Sequence, residues 1–568
     1  MARTPSPKAR RAFAPARRLR RARLAFPGAI LLIFGLMACG DGEVPSKGPA
    51  DPDLKPDGFA APLTQQELDN LTPAKQYQVA SKLLATLWRG VPVESFFDLS
   101  QGLDPAQVRR EGFLERVRED LSEPLSEGVR TATDAEIFGL DAEGNRDPEQ
   151  AKYRFDGAVL PKQEPLARIV EYPLSRDMFT VWMAHFLANT IMFSPALKME
   201  STSINDARRV MASLERQIAE GRSVQEIVRG HLPSLSRWRV SRSPENHALE
   251  AYELYLGMFD TAKDARRGGV ACQNFHLTDE DMGYELVQTP FANTEPKVIL
   301  DDYYITSCAD LYDVVVSHPR FMPRVVEVIV NYLMAGRSTE DRLAMVESIV
   351  RAGPETFDDI FKAILFSREY LLHTERVQSI EENMFGTLAR LKWSAYTRRG
   401  SLDEHLFRRM TQWSNSQLYL DDLGWATMEY KIGRPPDVPM DALSFANYHK
   451  VMREHVLRTQ RGYDGRDADY PDDHGLFYRR GTEVMFAPLV SFDIREFIDY
   501  VFLTGVRRRA SELEKEELLA LAKDRSWIRE AANGDLVWVD DNRADNFAVA
   551  MLDYLSRLPE LYYFRAVQ

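Results

Sequence analysis

The stretch Ser243-Pro-Glu-Asn-His-Ala-Leu-Glu-Ala-Tyr-Glu-Leu-Tyr-Leu-Gly257 places acidic residues inside an otherwise apolar helical pattern. Ser243 is a preferred N-cap residue, and Pro244 suits the first position of a helix. Gly257 favours a helix end because glycine readily adopts the left-handed conformation that terminates many helices. The stretch therefore predicts one helix that begins after Ser243 and ends before Gly257.

The polar residues of this helix form a single stripe. Asn246, Glu250, Glu253 and Gly257 follow an i, i+4, i+7, i+11 course, which puts them on one face. The other faces are mostly apolar, so we expect the helix to be buried on most sides. A carboxylate in such a place needs a partner, or its pKa rises. Glu250 and Glu253 are therefore residues that packing alone does not explain.

Helix signals recur through the rest of the chain. A capping residue stands three positions before an acidic one, ahead of an amphipathic segment, at Thr64, Ser203, Ser223, Thr356, Ser401 and Ser511. Thr72-Pro73 and Asp104-Pro105 predict two further helix starts, while strand-like alternation is confined to short pieces such as 168–172 and 536–539. Hydrophobic residues at 44% and charged residues at 28% are typical of globular proteins. The predicted fold class is mainly α, a multi-helix globular body with few short strands.

Two segments of the chain are weakly alike. Residues 331–338 resemble residues 499–507, and the helical stretches that follow end in similar sequences at 363–371 and 552–562. Duplicated helical modules would explain the likeness, and so would unrelated amphipathic helices that share a pattern.

The first 38 residues have the order of an export signal. Nine Lys and Arg residues and no acidic residue precede the end of an apolar run over residues 24–38, which stops at Leu36-Met-Ala-Cys39. The pattern resembles a bacterial lipoprotein signal. We expect residues 1–38 to be a signal peptide, Cys39 to be acylated, and the Pro-rich residues 39–63 to form a tether. The alternative is an ordinary membrane anchor, for which about 15 apolar residues are few.

The protein is therefore expected in the cell envelope, held at a membrane by its lipid, with Gly40 and Asp41 leaving the inner and outer membranes open. Residues 64–400 are predicted to form a helical main domain, and residues 401–568 a helical C-terminal region with long loops. Without residues 1–38 the formal charge changes from -13 to -22. A body this acidic repels polyanions, so nucleic acid is not expected as a partner.

The cysteines agree with an oxidising compartment. Apart from Cys39, the chain has only Cys272 and Cys308, an even pair that predicts a disulfide. Two separate buried thiols are the alternative. No Cys-x-x-Cys-His motif occurs, so no covalently attached haem is expected.

Several motifs together resemble the bacterial domain-of-unknown-function 1800 family. They are Trp182-Met-Ala-His-Phe186, Glu245-Asn246-x-Ala248-x-Glu250-x-x-Glu253-Leu254, Val298-Ile-Leu-Asp301 and, in the helical tail, Leu365-Phe-Ser-Arg368. The family has Arg where this chain has Leu249. The resemblance implies an exported, largely helical protein that is often encoded beside an exported sulfatase-like protein, which is then a candidate partner. It implies no established reaction.

His185 lies on a stripe with Met178, Trp182 and Asn189, where a histidine is usually a core residue. A sharper hypothesis is that His185, Glu250 and Glu253 converge and supply an imidazole and two carboxylates for a divalent cation or for acid/base catalysis. Against it stands the sequence Ser236-Arg-Trp-Arg-Val-Ser-Arg242, directly before the acidic helix. Arg237, Arg239 or Arg242 could neutralise the glutamates in a buried structural network.

A second metal hypothesis concerns the loop at 464–474. Asp464, Asp467 and Asp469 place oxygen ligands close together, as calcium sites require, although the spacing is not that of an EF-hand. An acidic, solvated loop is the alternative. The chain has no His-Glu-x-x-His, Gly-x-Ser-x-Gly or phosphate-binding Gly loop, which disfavours zinc proteases, serine hydrolases and nucleotide enzymes.

Two functions of different class fit these observations. The first is an exported lipoprotein that acts as a helical scaffold or binding protein for a cell-envelope or secreted partner. The second is a metal-assisted hydrolase that uses the His185, Glu250 and Glu253 cluster. They differ in where the three side chains lie: around an open site in the enzyme, and paired or packed in the scaffold.

Overall fold

A computed structural model describes residues 58–98, 104–105, 112–125, 169, 172–192, 204–280, 283–390, 440–453 and 493–567. All of these residues belong to one compact unit, residues 51–568. The predicted signal peptide, Cys39, the domain boundary expected at residue 400 and the loop with Asp464, Asp467 and Asp469 lie outside the described residues.

The described residues are mainly helical, as predicted. The α-helices up to residue 271 are α1 (Gln65–Asp69), α2 (Pro73–Thr86), α3 (Phe113–Asp120), α4 (Arg176–Asn189), α5 (Ile204–Ala219), α6 (Val224–His231), α7 (Leu235–Ser241), α8 (Pro244–Leu256) and α9 (Ala262–Ala271). Those that follow are α10 (Cys308–Ser317), α11 (Phe321–Leu333), α12 (Thr339–Arg351), α13 (Phe357–Leu365), α14 (Ile380–Arg390), α15 (Ala442–Val451), α16 (Ile494–Val506), α17 (Glu512–Asp524) and α18 (Asp541–Leu555). Among these described helices, none has the length and apolarity that a membrane crossing requires.

The strands are short and pair in antiparallel twos. They are β1 (Phe97–Asp98) with β2 (Asp104–Pro105), β3 (Phe275–Glu280) with β4 (Gly283–Gln288), β5 (Lys297–Ile299) with β6 (Tyr303–Ile305), β7 (Arg376–Val377) with β10 (Tyr563–Phe564), and β8 (Ile528–Glu530) with β9 (Leu536–Trp538). Four of these pairs join strands that are close in the chain. The pair of β7 with β10 instead joins the C-terminal end of the described chain to its middle.

Local capping chemistry explains many of the helix starts. The capping boxes predicted at Thr64, Ser223, Thr356 and Ser511 all form, with the hydroxyl accepting from a backbone N–H and the acidic residue returning the bond. The helix start predicted at Asp104-Pro105 is wrong, because those residues form β2 and pair with β1. Of the strand-like piece predicted at 168–172, residue 169 is helical.

The core is one continuous apolar cluster in which two helices are especially well enclosed. All side chains of α4 from Met178 to Asn189 are buried. Helix α8 contacts α7, α9, α10 and α11. Its approach to α9 is close because Gly268 and Gly269 have no side chains: a Cβ at Gly269 would lie 2.8 Å from the Glu245 Cα.

The C-terminal elements pack against the earlier helices. The Arg390 Nε donates to the Thr504 backbone oxygen at 2.7 Å, which joins α14 to α16. The Gln378 backbone N–H donates to the Tyr562 backbone oxygen at 2.9 Å, beside the pair of β7 with β10.

Candidate functional site

Helix α8 forms between the residues that its sequence specifies. The Ser243 Oγ accepts a hydrogen bond from the Asn246 backbone N–H at 3.2 Å, and Pro244 occupies the first turn. Gly257 ends the helix with φ of 65°, in the left-handed region. Both predicted ends are confirmed.

The acidic stripe lies at the edge of the core. On α8, Ala248, Ala251, Tyr252 and Tyr255 are fully buried, so the prediction of a helix enclosed on most sides is confirmed. Glu250 and its neighbour Glu253 are half-buried. The partial burial of Glu253, and secondly the nearby charge of Glu250, raise the pKa of the Glu253 carboxyl.

Arg237 on α7 is the partner of Glu250. The two side chains form an ion pair with 3.6 Å between Arg237 Nη2 and Glu250 Oε2. The Arg237 side chain is completely buried, whereas 30% of the Glu250 side chain is exposed. The pair is of the kind predicted from the arginines that precede the helix. It places one cation inside the fold and its carboxylate at the surface.

His185 contacts Trp88 and Asn189 in the core. Its ring packs edge-on against Trp88 with 5.3 Å between centroids, and it is buried. The Asn189 Nδ2 donates to the His185 backbone oxygen at 2.8 Å. Burial lowers the pKa of His185 to about 3, so the imidazole is neutral at physiological pH. These surroundings fit the interpretation of His185 as a core residue, which its apolar stripe favoured.

The three predicted site residues do not form a metal-binding group. Among the residues that the structure describes, no three His, Cys, Asp or Glu side chains are placed to hold a metal ion, and this includes His185, Glu250 and Glu253. His185 and Glu250 have different partners, because the His185 ring packs against Trp88 and the Glu250 carboxylate forms an ion pair with Arg237.

A second buried histidine, His247 on α8, was not singled out from the sequence. Its ring stacks on Trp238 with 4.2 Å between centroids. The Nδ1 atom lies 3.0 Å from Ser241 Oγ, and the Nε2 atom lies 3.0 Å from the Tyr312 hydroxyl. Its place on the face shared with Ala251 could have indicated that it is buried.

The proton positions in this network follow from its donors. The Trp238 N–H donates to the Tyr312 oxygen at 3.3 Å, so the Tyr312 proton is free to donate to His247 Nε2. The neutral His247 then donates from Nδ1 to Ser241 Oγ, whose own proton goes to the Arg237 backbone oxygen at 3.1 Å. Burial, and secondly the charge of Arg237, hold the pKa of His247 well below its usual range. Each group is satisfied, so the row of serine, histidine and tyrosine is structural.

This network supports a disulfide-tied segment. The predicted disulfide joins Cys272, which follows α9, to Cys308, which begins α10. We call residues 273–307, between the two cysteines, the hairpin segment, because it contains the β3–β4 and β5–β6 hairpins. Phe275 of β3 packs on Trp238 with 5.7 Å between ring centroids. The hairpin segment is thus fastened both covalently and by the stack that includes His247.

The hairpin segment also exposes aromatic rings. Phe291, in the connection between the hairpins, is 83% exposed, and Tyr304 on β6 is 74% exposed. Strand alternation sends the neighbouring Tyr303 the other way, where it packs against the core and lies near His318. The hairpin segment thus presents two exposed aromatic side chains on a support closed by a disulfide, and aromatic residues are enriched at protein interfaces.

Comparison with known proteins places the chain in no group: no family model, no curated protein and no solved structure matches it.

Proposed function

We propose that the chain is an exported, lipid-anchored helical scaffold whose hairpin segment binds a secreted protein of the cell envelope. The observation that carries this proposal is the exposure of Phe291 and Tyr304 on a segment closed by the Cys272–Cys308 disulfide. Large aromatic side chains contribute strongly to protein interfaces when their support is rigid, because little conformational entropy is then lost on binding.

The disulfide supports an exported location as well. Disulfides persist in oxidising compartments and are rare in the reducing cytosol. Acylation of Cys39 would then hold the body at the inner or outer membrane. Incorporation of a labelled fatty acid tests the anchor: we expect label in the wild-type chain and none after Cys39→Ser, and label retained by that variant would contradict it.

The charge of the chain narrows the choice of partner. The body is acidic, so a neutral or basic protein face is favoured over a polyanion such as nucleic acid. The family resemblance makes an exported sulfatase-like protein the first partner to test. A cell-envelope polymer is the alternative occupant of the same surface.

Photocrosslinking in intact cells tests the proposed surface. A benzoylphenylalanine is placed at Phe291 or at Tyr304, and the matched control carries it at Leu513 on α17, which is 70% exposed. We expect one discrete protein adduct from both hairpin positions and none from the control. Adducts that are the same at all three positions, or a polymer adduct in place of a protein, would contradict the proposal.

A further inference from the structure

Arg237 carries a set of unused hydrogen-bond donors. The side chain is fully buried, and among the residues that the structure describes, its Nε, Nη1 and Nη2 atoms make no hydrogen bond. A guanidinium has five N–H donors, and leaving buried donors without an acceptor is unfavourable. Its ion-pair partner Glu250 is 3.6 Å away, which is beyond normal hydrogen-bond length.

None of the polar neighbours His231, His247 and Tyr255 accepts a hydrogen bond from Arg237 among the described residues. His231 Nε2 donates to the Met192 backbone oxygen at 3.1 Å, and the Tyr255 hydroxyl donates to Met192 Sδ at 3.8 Å. His247 is satisfied on both ring nitrogens by the network described above. Of the neighbours named here, only Glu250 carries a charge that opposes that of the guanidinium.

Glu250 forms the solvent-facing side of this ion pair. The Arg237 side chain has no exposed area, and the carboxylate that pairs with it is the partly exposed end of the pair. An external anion that binds Arg237 would therefore have to replace the Glu250 carboxylate.

We propose that Arg237 is the anchor of a binding site for a monocarboxylate, which displaces Glu250 and takes two parallel hydrogen bonds from the guanidinium. The forked geometry of arginine matches a planar carboxylate. Glu250 and Glu253 at the edge of the site would repel a doubly charged anion more than a singly charged one, which favours a carboxylate over phosphate. The site goes beyond the proposed function and is separate from Phe291 and Tyr304.

The test uses sodium acetate as the probe and the full-length chain. Acetate affinity is obtained from the increase in melting temperature with concentration, against sodium chloride of equal ionic strength. Glu250→Gln removes the internal competitor, so this variant should bind acetate about tenfold more tightly than the wild type. The matched control is Glu245→Gln, on the same helix as Glu250, which removes a surface ion pair with Arg266 of α9 and should leave acetate affinity unchanged.

The anchor is tested on the same background. Adding Arg237→Met to Glu250→Gln should abolish acetate binding, and adding Arg237→Lys, which keeps the charge but not the fork, should weaken it about tenfold. Equal acetate affinity in the wild type and Glu250→Gln, phosphate binding as tight as acetate binding, or undiminished acetate binding in the Lys variant would each overturn the site. If the Met variant does not fold, the Lys variant decides. Normal acetate binding by a Phe291→Ala variant would show that the Arg237 site does not depend on the surface proposed to bind a partner protein.

Discussion

Acidification from pH 7.0 to 5.5 should destabilise the fold through three histidines that are buried in the neutral form. Burial lowers the pKa of His185 to about 3, and burial with the charge of Arg237 lowers that of His231 to about 4. The pKa of His247 is well below its usual range for the same two reasons. In the folded protein, all three imidazoles therefore remain uncharged at pH 5.5.

The sign of the effect follows from proton binding. In the unfolded chain these histidines titrate near pH 6.5, so below that pH the unfolded state binds more protons than the folded state. The contribution of the three histidines to the free energy of unfolding is then fully present above the unfolded pKa. It is lost as the pH falls towards the folded pKa. One pH unit below 6.5 costs about 1.4 kcal/mol for each histidine, or about 4 kcal/mol for the three.

Urea unfolding at the two pH values, with the disulfide intact, measures this loss. His247→Gln removes one of the three groups, so its loss between pH 7.0 and 5.5 should be about one third smaller than that of the wild type. At pH 7.0 the same variant should be less stable by about 2 kcal/mol, because two buried hydrogen bonds change. The control is His276→Gln on β3, where the side chain is exposed.

The control should keep the full pH dependence of the wild type. The reasoning is refuted if the wild type is equally stable at both pH values. It is also refuted for His247 if His247→Gln loses as much stability on acidification as the wild type does.

Three further perturbations address the packing. Replacing both disulfide cysteines by serine should lower the free energy of unfolding by about 4 kcal/mol through the entropy of the opened loop, measured by urea unfolding. Arg376→Ala should cost about 3–5 kcal/mol, since it leaves the fully buried Glu382 without the arginine that lies 2.6 Å away; a loss below 1 kcal/mol in the same assay would contradict this. Gly269→Ala should cost about 1–3 kcal/mol because the new Cβ meets the Glu245 backbone, and an unchanged melting temperature would show that α8 and α9 can separate freely.

Much of the fold could be predicted because helix ends depend on neighbouring residues. Ser243 begins α8 by accepting a hydrogen bond from the Asn246 backbone N–H, and Gly257 ends α8 through its own left-handed backbone conformation. The burial of most α8 faces followed from periodicity, and the disulfide followed from an even pair of cysteines. The start at Asp104-Pro105 failed because pairing with β1, which no local pattern shows, decided its conformation.

The candidate site was only partly predictable. A buried network with one of the preceding arginines was one of two interpretations of Glu250 from the sequence, but the sequence did not show that Arg237 would be the partner or that its donors would be unused. His247 and Tyr312 are distant in the chain, and their hydrogen bond exists only because α8 packs on α10.

By itself the sequence determined the helical class, the ends of α8 and the acidic stripe, since each depends on interactions within a few residues. Tertiary structure alone decided that His185 and Glu250 have different partners, that Arg237 is enclosed, and that Phe291 and Tyr304 protrude. Those outcomes depend on which helix faces meet, and residues far apart in the chain set them together through close packing.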